Sequence, residues 1–167
     1  MRLTIVLATL ALTSAAMAQE PLKAVANFTD AEGNPAGTAA LTQAGAGVLM
    51  ELDLTGLPPG EWVAFHVHET GTCDAASHYQ SAGGHFNPTG KDHGYLAPNG
   101  PHAGDMPNQS VGADGALRAQ VFNPSVTLAE GDAGIRGRAL MIHAKPDDYT
   151  SQPSGDAGDR LACAVIE

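Results

Sequence analysis

Apolar and polar side chains alternate along most of this chain, and no stretch sustains a helical period of 3.6, which predicts strands throughout. The alternating runs cover 22–28, 37–43, 46–54, 61–69, 117–123, 137–144 and 161–166. Turn-forming clusters separate them: Glu32-Gly33-Asn34-Pro35, Pro58-Pro59-Gly60, Ala113-Asp114-Gly115 and Glu130-Gly131-Asp132. Short strands at this spacing imply an all-β sandwich or barrel. No repeat or linker divides the chain.

Two segments break the rhythm. Residues 71–111 hold Gly83, Gly84, Gly90, Gly94, Gly100, Gly104 and four prolines, and residues 144–159 are rich in Gly, Pro, Ser and Asp. Loops this long in a compact domain are usually functional or disordered.

The first eighteen residues read as a secretory signal. Arg2 supplies the positive start, the stretch 3–12 is mostly apolar, and Ala16-Met17-Ala18 ends in a small-x-small cleavage pattern. The expected domain is therefore 19–167. The apolar stretch is too short to span a bilayer, and no later one is long enough. Export would expose Cys73 and Cys163 to oxidising conditions, where a bridge is expected; free or metal-bound thiols are the alternative. A bridge across ninety positions would contribute about 4–5 kcal/mol in the chain-entropy model.

Eight Lys and Arg face eighteen Asp and Glu, a formal charge of −10, and losing Arg2 makes the balance more negative. This excludes nucleic acid and anionic membranes as electrostatic partners. Any anionic substrate would need local positive charge.

The chemistry sits in the histidines. Six of the seven fall into a metal-binding pattern: His66 and His68 on one run, His85, His93 and His102 with Asp105 in the first long loop, and His143 on a later run. Imidazole suits copper and zinc. Six imidazoles exceed what one tetrahedral ion takes, so two neighbouring metals sharing a ligand use them economically. Alternation sends Phe65 and Val67 toward the core and His66 and His68 to the other face. His143 has the same relation to Leu140 and Ile142. His85, His93, His102 and Asp105 supply three nitrogens and one oxygen, a closed tetrahedral zinc set.

The motifs 56–60 (GLPPG), 65–69 (FHVHE), 84–88 (GHFNP), 102–105 (HAGD) and 159–166 (DRLACAVI) resemble, in order, those of the copper–zinc superoxide dismutases. The resemblance spans nearly all of residues 19–167. It implies an eight-stranded Greek-key β-barrel or flattened sandwich with two long functional loops, an architecture grouped with the β-sandwiches. It implies one copper ion per subunit, held by His66, His68, His85 and His143. One zinc ion would be held by His85, His93, His102 and Asp105, with His85 bridging. Asp147 matches an acidic residue that links copper and zinc ligands, Cys73 and Cys163 match an intrasubunit disulfide, and Arg160 matches an arginine facing the copper. Read without the resemblance, Asp147 is equally a solubilising loop acid, and Arg160 a salt-bridge partner for Asp159 or another loop acid. The implied activity is dismutation of superoxide, with His85 and Arg160 catalytic, in a periplasmic enzyme that is a homodimer or monomer. A periplasmic copper-buffering protein in the same fold is the alternative.

The chain departs from the better-known eukaryotic pattern in a longer 73–85 stretch, as in bacterial members. Its 143–160 loop is shorter and acidic, with Lys145 its only lysine. His78 matches nothing and is expected at the surface.

Overall fold

A computed structural model describes residues 20–167; the signal expected over residues 1–18 lies outside them. The described residues form β1 (Lys23–Asp30), β2 (Pro35–Ala44), β3 (Gly47–Leu54), β4 (Trp62–Val63), β5 (Phe65–His68), β6 (Gln109–Ser110), β7 (Leu117–Asn123), β8 (Ala139–His143) and β9 (Arg160–Val165). Two single-turn 3-10 helices, Ala75–Ser77 and Gln80–Ala82, lie in the first long loop. Every expected run forms strand. The run 61–69 changes partners at Ala64, whose N–H donates to Lys145 and whose carbonyl accepts from His143. Counted as one bent strand, β4 and β5 bring the total to eight. The two-residue β6 was not expected, being too short for alternation to register.

All ladders are antiparallel, in the order β5-β8-β9-β1-β2-β3-β7, with β4 paired to β6. Because β4 continues into β5 at one edge while β6 approaches β7 at the other, the sheet curls back on itself. The β3–β4 and β7–β8 connections cross between non-neighbouring strands, which gives the Greek-key course. No described helix is long and apolar enough to cross a membrane.

The inward face follows the alternation. Phe65, Val67, Leu140 and Ile142 are fully buried and join Phe28, Leu41, Met50, Leu54 and Leu117 in the main core. The opposite face of β8 is not left to solvent: Met141 packs with Tyr79, Ala82, Ala139 and Cys163 beneath the first long loop. The Cys73–Cys163 disulfide is formed and ties that loop to β9.

Loop residues also pair with the free edge of β5. Val67 donates to Gly104, Phe86 donates to Val67, and Glu69 donates to Gly84, each at 2.8–2.9 Å. Isolated bridges thus set His85 across from His68, and Asp105 across from His66. Gly104 is required here, since a Cβ would lie 2.4 Å from the Val67 carbonyl oxygen.

Candidate metal centre

Strand alternation and loop pairing bring all six pattern histidines together in two groups that meet at His85. His66, His68, His85 and His143 form one group and His85, His93, His102 and Asp105 the other; in each, one candidate ligand atom per residue lies within 4.8 Å of the rest. All seven residues are buried or nearly so. The His66 and His85 rings lie 3.9 Å apart between centroids, with their planes tilted by 31°.

Apart from His85, which belongs to both groups, the rings have an inner and an outer nitrogen with different surroundings. Outer nitrogens are held by the protein. His68 Nδ1 donates to the Gly83 carbonyl at 3.0 Å, and His66 Nε2 and His93 Nε2 bond the two oxygens of Asp147 at 2.9 and 3.0 Å. Such bonds fix tautomer and ring orientation. Inner nitrogens face one another. His68 Nε2 and His143 Nε2 are 3.3 Å apart. Asp105 Oδ1 lies 2.9, 3.1 and 3.5 Å from Nδ1 of His85, His93 and His102.

These spacings test the fit to metal. Zinc–nitrogen bonds of about 2.0–2.1 Å place tetrahedral ligand atoms about 3.3 Å apart, close to the separations observed. Three buried nitrogens, His66 Nδ1, His85 Nε2 and His102 Nδ1, have no hydrogen-bond partner. Leaving a buried polar atom unsatisfied costs about 1–3 kcal/mol, so three orphans at the convergence points need a ligand to explain them. A metal in each group answers that need. The third grouping, His66, His93 and Asp147, is better explained as hydrogen bonding, because both imidazoles already turn their other nitrogen inward.

Electrostatics differ between the groups. Burial pushes the pKa values of His66, His68 and His143 down, and burial with the nearby His66 pushes His85 down to about 3. These rings are neutral at physiological pH, the form that binds metal. Burial also acts to lower His93, but hydrogen bonds to Asp105 and Asp147 override it and raise His93 to about 9. Burial opposes ionisation of Asp105 and Asp147, yet their histidine partners hold both carboxyls well below the usual range.

A cleft opens over the first group, lined by His68, His85, His143 and Arg160, with His78 and Asp159 also on its wall. The β8–β9 register shifts between Ile142 and His143, so Arg160 pairs opposite His143 with Leu161 as the extra residue. The Arg160 guanidinium donates to the carbonyls of Tyr79 at 2.5 Å and Gly83 at 2.7 Å. Among the described residues it makes no ion pair with Asp159. His78 is exposed, as expected, but it lies beside the centre rather than apart from it.

Several contributors were not legible in the sequence. Asn108 brackets Asp147, donating to its carbonyl and accepting its N–H, both at 2.8 Å. Gln152 does the same for the main chain of His93, at 2.9 and 2.8 Å. Gly155 leaves room for the Asp147–His93 pair, since a Cβ there would fall 1.9 Å from Asp147 Oδ1. Only the density of Gly, Asn and Gln around the acids hinted at these roles.

The model of the family described as Copper/zinc superoxide dismutase (SODC) matches residues 35–166. The chain is 50% identical over 161 residues to "Superoxide dismutase [Cu-Zn] 2" of Aquifex aeolicus, covering 94% of this chain and 93% of the relative. The crystal structure of a SOD-like protein from Bacillus subtilis superimposes with a TM-score of 0.81 at 35% identity, covering 84% of this chain and 95% of that one. Cu/Zn superoxide dismutase from Brucella abortus gives a TM-score of 0.72 at 30% identity, over 87% of this chain and 100% of that one. A match of this extent, on a barrel carrying two histidine groups with a shared member, means that the chain belongs to the copper/zinc superoxide dismutase family.

Proposed function

We propose that this protein dismutates superoxide to dioxygen and hydrogen peroxide, with copper in the His66, His68, His85 and His143 group and structural zinc in the His85, His93, His102 and Asp105 group. The observation that carries this reading is His85. Its Nδ1 faces Asp105 at 2.9 Å, while its buried Nε2 is unpartnered on the side of His66, His68 and His143. One imidazole thus serves both groups. Copper, when bound, supplies one-electron cycling between two superoxide ions, and two protons complete the hydrogen peroxide.

The chain's own residues do the rest. Arg160, partly exposed in the cleft, receives the anion with a charge that titration does not remove and with donors of fixed geometry. Its role is electrostatic attraction and orientation. His85 Nε2 can carry a proton in the half of the cycle that needs one, while Asp105 keeps the ring in place through Nδ1. Asp147 joins the two groups by holding His66 and His93. The closed zinc set has no open position and serves to order the loop.

The formed disulfide, the bacterial relatives and the signal pattern at residues 1–18 support export to the periplasm. The test is superoxide decay after pulse radiolysis, with catalytic amounts of the copper- and zinc-loaded mature protein. Many turnovers per copper near the encounter rate are expected. Decay that stops after about one equivalent would instead make this a copper-binding protein. Arg160→Gln is expected to lower the rate at least about tenfold while retaining copper; unchanged turnover would remove Arg160 from the mechanism.

A further inference from the structure

Tyr79 has three properties that metal binding does not require of it. It and His78 are consecutive non-glycine residues in the left-handed region, with φ of 59° and 51°. Such residues hold that conformation only where their surroundings impose it. Its ring is fully buried against Ala82, Ala139, Met141 and Cys163. Its hydroxyl reaches across to β1, where it lies 3.1 Å from Thr29 Oγ1, donates to the Thr29 carbonyl at 3.0 Å and also contacts the Asp30 carbonyl.

The other end of the same residue faces the cleft. The Tyr79 carbonyl accepts from Arg160 Nη1, while Gly83, four positions on, accepts from Nη2 and from His68 Nδ1. Two carbonyls therefore fix the guanidinium. Both are neutral, so they orient the arginine without cancelling its charge. The alternative partners are acids: Glu69 and Asp159 line the same cleft in a strongly negative protein. A guanidinium that swung onto either would present a neutralised pair to an incoming anion.

We propose that Tyr79 is a positioning residue for Arg160: its ring and hydroxyl anchor the loop to β1, so that its carbonyl keeps the guanidinium free of acids and aimed into the cleft. This rests on the proposed anion-receiving role of Arg160.

The test uses the copper- and zinc-loaded protein with azide as a small anionic probe, its affinity read from the copper absorption spectrum. Tyr79→Phe keeps the ring and removes the hydroxyl anchor. It is expected to weaken azide binding about two- to tenfold, the effect of one lost hydrogen bond, with metal content and the disulfide retained. Thr29→Val, which leaves Tyr79 intact, should weaken binding less and in the same direction. In an Arg160→Gln background, Tyr79→Phe should change azide affinity no further. Unaltered affinity in both single variants overturns the proposal, as does an equal loss with and without Arg160, which would make Tyr79 a packing residue only. Coupling between Tyr79 and Arg160 in a protein that fails to dismutate superoxide would leave the positioning role standing and remove the dismutase reading instead.

Discussion

His66, His68 and His143 stand on β5 and β8, whereas His93, His102 and Asp105 stand on a loop, and different forces hold the two sets. The strand set is fixed from behind. Its neighbours Phe65, Val67, Leu140 and Ile142 are locked in the core, and an antiparallel ladder joins β5 to β8. The loop set is tied to the same core by Phe86, Ala103 and Met106, and its polar ties are more numerous. It is held by Asp105, which bonds the Gly94 and His102 amides at 2.9 and 3.0 Å, and by Asp147 with its Asn108 brace. Both halves thus rest on the core, but the strand half adds a β-ladder and the loop half adds charge and hydrogen bonds. Ligands on a ladder are pre-positioned, whereas ligands on a polar loop gain most order when a metal binds.

Zinc removal should expose this contrast most strongly. Hydrogen exchange in 84–108 and 145–158 is expected to accelerate about a hundredfold or more, since metal binding there doubles as folding energy, while β8 amides, paired between β5 and β9, change little. Equal acceleration in both regions would mean that the halves are not separately held. Next comes Asp147→Ala, which cuts the link between them. Metal competition assays should show weaker binding in both groups, by about 10–100-fold; loss confined to one group would place Asp147 in that half alone.

Leu140→Ala addresses the strand half from its core side. Urea unfolding should show a loss of about 2–5 kcal/mol, with metal affinities nearly unchanged, because the removed atoms face away from the histidines. A parallel drop in metal affinity would show that core and ligand faces of β8 are coupled.

The smallest effects are those of pH on the metal-free protein, and two loop histidines, His85 and His93, should respond in opposite directions. His85, depressed from 6.5 to about 3 by burial first and by its neighbour His66, takes a proton more readily when unfolded. Its contribution is present above about pH 6.5 and is lost as pH falls toward 3. His93 is raised to about 9 by Asp105 and Asp147 despite its burial. Its contribution is full below pH 6.5 and is lost as pH rises through about 9. Chemical denaturation from pH 4 to 10 should therefore show stability falling toward both ends. A monotonic rise with pH would remove the His93 contribution.

How much of this was legible depends on what each residue contributes. The candidate ligands were legible because their chemistry is carried by the side chain: His66 and His68 by alternation, and Asp105 by its place three residues after His102. Arg160 was legible as a charge. What holds it was not, because main-chain carbonyls at Tyr79 and Gly83 have no identity in the sequence. Gln152 and Asn108 escaped for a related reason. Amides are common in loops, and their partners His93 and Asp147 lie 59 and 39 positions away. β6 was missed because two residues cannot show a period.

By itself the sequence determined the all-β class, the inward and outward faces of the strands, and the inventory of candidate ligand atoms, since each follows from local periodicity or from the chemistry of a side chain. Only the tertiary structure decided that the outward face of β5 and β8 is a buried floor beneath two loops. Only it decided that His85 has one nitrogen toward each group, and that neutral carbonyls rather than Asp159 hold Arg160. Those outcomes depend on contacts between distant segments, where chain crossing, loop pairing and the disulfide select one partner among many of equal local chemistry.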